Sequence, residues 1–210
     1  MFNPEKKLAS SKGVDVPIMY VYLAGRIAGN CIDKCLDWRN KIVNHYSDYK
    51  GRGVYPISFL DALNSKESDS VDKLGLTSAI PPNLIYDKDL MSVRKADVVI
   101  AMMEDYMEEG IYKLQSTTLD SKDDLIKKNL ALHKTIENRR ANYGTTMELA
   151  WAILFEKPTI LIAGTEQRKK ILEKHPFTKR ASVIVMDVDE LLEKKWLNVL
   201  YKSMSGATYE

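Results

Sequence analysis

Short runs of apolar residues alternate along this chain with longer stretches in which apolar residues recur every three or four positions. The first run, "IMYVYLAG" over 18–25, is rich in β-formers and stops at a glycine, as a strand buried on both faces does. The following "NCIDKCLDWRNKIVNHYSDY" sets Ile32, Cys35, Leu36, Ile42 and Val43 close to helical spacing. "GVYPISFLDAL" reads as a second strand entering a loop, "NLIYDKDLMSVRKA" as a helix and "DVVIAMM" as a third strand. After these come a helix "TTMELAWAILFEK", a strand "PTILIAG", a helix "TEQRKKILEKH", a strand "SVIVMDV" and one final helix "DELLEKKWLNVLYKSM". Five short apolar strands separated by helices predict an α/β fold, a doubly wound parallel sheet covered on both faces.

Two stretches interrupt the alternation. Residues 64–82 are polar and end in two prolines, which predicts a surface loop. Residues 104–143 carry no strand pattern; their "SKDDLIKKNLALHKTIENRR" is charged and helical, and Ser121 with Asp124 forms a capping-box pattern. This is a helical insertion after the third strand, at its carboxyl end, where open α/β sheets bind ligands. It reads as a lid or subunit contact, or equally as a solvated excursion without a role. Residues 1–17 read as an N-terminal tail. With no internal repeat, one domain over 1–210 is expected.

Composition narrows the function classes. A 45% hydrophobic content over 210 residues supports one sizeable core. The net charge of +2 comes from 31 basic and 29 acidic residues that are interspersed, which argues against a nucleic-acid polymer as partner and leaves room for a small anionic ligand. Cys31 and Cys35 lie four apart on a predicted helix and read as a reduced, core-facing pair rather than a disulfide framework. No apolar run reaches transmembrane length, and the polar start "MFNPEKKLASSKGVDVP" lacks a signal-peptide core. A soluble cytoplasmic protein, without a membrane partner, is expected.

Candidate chemistry gathers at the predicted strand ends. In "YLAGRIAGN", Gly25 and Gly29 let the backbone approach a ligand, and Arg26 offers a charge; an ordinary strand-to-helix turn reads the same way. Thr145-x-x-Glu148 fits a capping box, with Glu148 reaching back to the Thr145 amide. The same placement suits chemistry. A carboxylate in the first turn is kept ionised by the helix dipole and can attack an electrophilic sugar carbon. Such a nucleophile needs an acid to assist the leaving group. "YDKDL" supplies Asp87 and Asp89, which also fit capping positions. Asp97, at the amino end of its strand, reads as structural. His45, His133 and His175 are scattered without a metal-ligand pattern.

Three segments in order, "VYLAGRIAGN", "DKDLMSVRKADVVIAMM" and "GTTMELAWAILFEKPTILI", resemble the nucleoside 2-deoxyribosyltransferase family, which includes deoxynucleoside 5′-monophosphate N-glycosidases. The resemblance spans about 18–164; the 104–143 insertion and the last third carry no matching motif. It implies a flavodoxin-like five-stranded sheet and cleavage of the N-glycosidic bond of nucleosides or nucleotides. Glu148 falls on the nucleophile of the G-[ST]-x-x-E segment, Asp89 on the Asp that assists the departing base, and Tyr22 on a tyrosine close to the nucleophile. Gly25, Arg26 and Asn142 would line the 5′ side of the sugar, and Gly144 and Met103 complete the implied substrate set.

Two positions depart from the family pattern. Asn142 stands where transferases often have an Asp, and Arg26 and Ala28 stand where monophosphate glycosidases carry Ser and Arg. The implied activity is transfer of a deoxyribosyl group through a covalent glycosyl–Glu148 intermediate to another nucleobase. Hydrolysis of nucleoside 5′-monophosphates is the alternative within the family; a non-catalytic nucleotide sensor is the alternative outside it. The reaction requires neither metal nor organic cofactor. The partners implied are a nucleoside or nucleotide, a nucleobase and further copies of the chain, as a homodimer or larger. A neighbour's site could receive the C-terminal carboxylate of Ala207-Thr208-Tyr209-Glu210.

Overall fold

A computed structural model describes residues 7–9, 15–25, 32–47, 56–60, 82–103 and 143–205. Strands β1 (Lys7–Ala9) and β2 (Asp15–Pro17) form a small antiparallel pair with Lys7 opposite Pro17. The main sheet comprises β3 (Met19–Gly25), β4 (Ile57–Leu60), β5 (Val98–Met102), β6 (Thr159–Ile162) and β7 (Val183–Val185). Helices α1 (Ile32–Ser47), α2 (Pro82–Lys95), α3 (Tyr143–Leu154), α4 (Glu166–Lys174), α5 (Val188–Glu193) and α6 (Trp196–Ser205) connect or follow them.

The five strands are all parallel and ordered β4-β3-β5-β6-β7. Numbered within the sheet, this is the 2-1-3-4-5 order of flavodoxin-like folds, as expected from the sequence. The chain leaves β3 in one direction for β4, then returns to the other side for β5. The crevice between the carboxyl ends of β3 and β5 is therefore the topological switch point, where such sheets receive ligands.

Alternation along β3 sorts its side chains into two layers. Val21 and Leu23 join Val98, Ile100 and Ile160 under α1, α5 and α6, which contribute Trp38, Ile42, Leu191, Leu197 and Tyr201. Tyr22 and Ala24 face the other way, with Val99, Ala101 and Leu161, against Val93 of α2 and Leu149, Trp151 and Ala152 of α3. Every residue of β5 is buried, which is why "VVIAM" is continuously apolar rather than alternating.

Several expectations are corrected. Within the stretch read as an N-terminal tail, residues 7–9 and 15–17 form the β1–β2 pair. Each strand is three residues long, too short to show periodicity. The final helix is two. It breaks at Lys194 and Lys195, and Lys195 takes the left-handed conformation at φ 52°, with its amide donating to the Leu192 carbonyl. Asp97 is structural as expected: its carboxylate accepts from the Tyr20 amide at 2.8 Å and its own amide donates to the Tyr20 carbonyl. The start of β5 is thereby pinned to the start of β3. Cys35 is a buried free thiol; Cys31, the 64–81 loop and the inserted helix lie outside the described residues. Among the described residues no helix is long and apolar enough to cross a membrane.

Candidate functional site

Tyr22 stands on β3, three residues before its carboxyl end, and is only 2% exposed. A phenol buried that deeply requires a partner for its hydroxyl. The partner is Glu148 of α3: the hydroxyl donates to Oε1 at 2.7 Å, and Glu148 is itself 9% exposed. The structure thus brings together two of the three side chains that the sequence nominates for chemistry.

The local setting of Glu148 differs from the expected one. Helix α3 begins at Tyr143, so Thr145 and Glu148 lie inside it rather than at its cap. Thr145 Oγ1 is buried and has no hydrogen-bond partner among the described residues, and Oε1 of Glu148 is engaged by Tyr22. The capping box is therefore not formed. Glu148 is in the second turn, where the helix dipole has largely faded. What orients its carboxylate is the phenol of a different element.

Asp89 is likewise inside a helix, not ahead of one. It is half-buried in α2, one turn after Tyr86. The Tyr86 ring meets Trp151 of α3 edge-on, with centroids 4.9 Å apart, and Trp151 follows Glu148 by one turn. The helices bearing Asp89 and Glu148 are thus neighbours on one face of the sheet. Asp87 is exposed, and neither acid caps α2, whose first turn holds no acidic residue.

Gly25 has a packing requirement of its own. A Cβ there would come within 2.7 Å of Trp38 Cζ2 and 3.2 Å of Arg39 Nη2. Gly144 has none, since an added Cβ meets nothing within 4 Å. Met103 follows the end of β5; its amide donates to the Ile162 carbonyl, and its carbonyl accepts from the Arg168 guanidinium. Arg26 and Asn142 lie outside the described residues.

Two arginines at this edge escaped the sequence reading. Arg39 of α1 is 2% exposed, and its guanidinium donates to the carbonyls of Cys35, Leu23 and Gly25. It also lies over the Trp38 ring at 4.5 Å. The signal was a charged residue at the i+4 position from Cys35 and i−3 from Ile42, on the apolar stripe of α1. Arg168, in the first turn of α4, clamps the end of β5 through Met103. No pattern in "TEQRKK" distinguishes it from its solvated neighbours.

The arrangement is a carboxylate held in a fixed orientation by a buried phenol, close to a sheet's ligand-binding edge. Such a carboxylate can act as a nucleophile or stabilise a cation forming beside it. Among the described residues no group of three metal-binding side chains is close enough to hold a metal ion.

No protein-family model matches the chain, and no curated protein matches it in sequence. Among solved structures, it is similar to a CMP N-glycosidase of Clostridium botulinum at 15% identity, covering 85% of this chain and 98% of that one, with a TM-score of 0.41. A TM-score at this level assigns neither residues nor a substrate.

Proposed function

We propose that this chain cleaves the N-glycosidic bond of a nucleoside or nucleotide and passes the sugar, through a glycosyl ester on Glu148, to a second nucleobase. The observation that carries the proposal is the 2.7 Å hydrogen bond from the Tyr22 hydroxyl to Glu148 Oε1, buried near the switch point of the sheet. The motif resemblance to the nucleoside 2-deoxyribosyltransferase family supports the same roles.

The bond from C1′ to the base nitrogen lengthens first, and the base departs with the electron pair. Asp89 donates a proton or hydrogen bond to that base, which makes it a better leaving group. Positive charge develops on the sugar, and the Glu148 carboxylate, aimed by Tyr22, captures C1′ as an ester. An incoming base then attacks C1′ from the face the first one left. Glu148 departs as carboxylate, Asp89 recovers a proton from the incoming base, and the anomeric configuration is retained. Water in place of that base gives free sugar, so exclusion of water separates transfer from hydrolysis.

The test incubates the protein with deoxynucleosides and their 5′-monophosphates, with and without a free acceptor base, and resolves the products by chromatography. Acceptor-dependent base exchange, abolished by Glu148→Ala, is expected, with a pentose adduct on Glu148 in acid-quenched protein by mass spectrometry. Free sugar without exchange would make the protein a hydrolase. Nucleotide binding without turnover would make it a sensor.

A further inference from the structure

The mechanism proposed for Glu148 leaves the other buried polar residue of α3, Thr145, without a role. Thr145 is 2% exposed, and its Oγ1 has no hydrogen-bond partner among the described residues. A buried hydroxyl is ordinarily satisfied, as that of Thr178 is by the Leu172 carbonyl. One without a partner weakens the fold, and valine would fill the same space without that penalty. The capping box that would have engaged Thr145 does not form. Thr145 precedes Glu148 by three positions, which puts both side chains on the face of α3 turned to β3 and β5. Four residues join Leu154 to Thr159 at the amino end of β6, so α3 runs back along the sheet and begins at its carboxyl edge. Thr145 therefore stands about 4.5 Å nearer that edge than Glu148. Helical side chains lean towards the helix amino terminus, so its hydroxyl leans towards the edge where such sheets receive ligands.

We propose that Thr145 binds the 3′-hydroxyl of the sugar whose C1′ Glu148 attacks; the inference rests on that reading of Glu148. In a β-nucleoside the base and C5′ stand on one face of the furanose ring. O3′ stands on the other face, with O2′ beside it where the sugar is ribose. A nucleophile that displaces the base approaches C1′ from the face opposite it. Helix α3 therefore meets the side of the ring that carries O3′, and a second polar group on the same helix face meets that side too. O2′ is on the carbon next to C1′ and falls within reach of Glu148 itself. O3′ is one carbon further away, which matches the offset of one helical turn. A neutral hydroxyl suits this task, because it both donates and accepts. An ionised group so close would instead disturb the charge on Glu148. The contact holds the ring over the carboxylate from two points on one rigid helix.

The test compares 2′-deoxynucleosides and their 5′-monophosphates with the 2′,3′-dideoxy counterparts, which differ only in lacking O3′. Turnover is followed by chromatography and binding by calorimetry, for wild type and for Thr145→Val, which keeps the shape and removes the hydroxyl. Thr145→Val should resist urea at least as well as wild type. It should lose about 10-fold in kcat/KM on the 3′-hydroxyl substrates and little on the dideoxy ones. Thr145→Ser, which keeps a hydroxyl, should retain the wild-type preference. Equal losses on both sets, or no loss, overturn the contact, while wild-type turnover leaves the glycosidase reading standing. A destabilised Thr145→Val also overturns the contact, because the hydroxyl would then serve the fold. Binding without turnover sinks the reaction alone, and the preference is then read from affinity: its loss in Thr145→Val upholds the contact, and its persistence overturns it. A wild-type protein that binds neither set overturns both.

Discussion

Tyr22 and Glu148 are 126 positions apart in the chain and joined by a hydrogen bond of 2.7 Å. The bond ties a central strand to the helix following its neighbour, and it fixes the one buried carboxylate of α3. If Glu148 is the nucleophile, its orientation depends on Tyr22. Tyr22→Phe should therefore lower kcat by about 10–100-fold with little change in KM, as expected when a positioning contact matters more in the transition state than in binding. Glu148→Gln should retain the fold and lose turnover entirely. Steady-state kinetics of both variants, with thermal unfolding as control, check this; a Tyr22→Phe enzyme with unchanged kcat would remove Tyr22 from the mechanism.

The two glycines proposed for the site predict opposite outcomes. Alanine at position 25 would drive a methyl to 2.7 Å from the Trp38 ring, in a layer already filled by Leu23, Met102 and Arg39. Overpacking of this kind costs about 1–3 kcal/mol. Alanine at position 144 meets open space and replaces glycine within a helix, a gain of up to about 1 kcal/mol. Urea unfolding should show Gly25→Ala destabilised and Gly144→Ala equal to or better than wild type. Activity adds a further distinction. If the Gly144 backbone touches substrate, Gly144→Ala loses activity without losing stability.

Much of the architecture was legible because it rests on local pattern. The run "VVIAM" is continuously apolar because β5 is covered on both faces, and each main-sheet strand appears where such a run stands. Register and pairing are another matter. That Tyr22 lies close to Glu148 is implied by the family resemblance alone; the local pattern around Tyr22 carries no sign of it, since that distance is set by two crossovers and the packing of α3. Helix starts were also hidden. Tyr143 and Gly144 are weak helix formers, so the sequence suggested a start at Thr145, and with it a capping box that does not form. Lys195 gave no sign of its positive φ, because only glycine and asparagine commonly announce that conformation.

Helix α3 ends in a Schellman arrangement built on a non-glycine residue. The Glu156 amide donates to the Ile153 carbonyl and the Lys157 amide to the Ala152 carbonyl, while Glu156 itself sits at φ 54°. Glycine adopts this conformation without a Cβ penalty. Because Glu156 is exposed, its side chain contributes little burial that a replacement would lose. Glu156→Gly should raise stability by about 0.5–1 kcal/mol, the usual strain of a left-handed non-glycine residue less the extra freedom of glycine when unfolded. Chemical denaturation of the single variant measures it, and a destabilised Glu156→Gly would mean that the carboxylate contributes more than its backbone costs.

Glu190 carries the clearest pH dependence. Its carboxyl is held down to about 2, first by the Lys194 ammonium, then by the Met186 amide and by Lys169, against an opposing contribution from burial. The contacts are 2.6 Å to Lys194, 2.6 Å to the Met186 amide and 3.2 Å to Lys169, and together they fasten the end of β7 and α4 to α5. A carboxyl with a lower pKa folded than unfolded stabilises the fold fully above its unfolded value, and that contribution disappears as pH falls towards the folded one. Lys194 is half exposed, so solvent screening reduces the effect to about 1–2 kcal/mol. Glu190→Gln should therefore be less stable than wild type by that amount at pH 7. The difference should stay constant down to about pH 5 and shrink steadily towards pH 2. Paired urea titrations across that range decide the point: a difference that does not vary with pH would mean that the side chain acts through its shape and neutral hydrogen bonds, not through its charge.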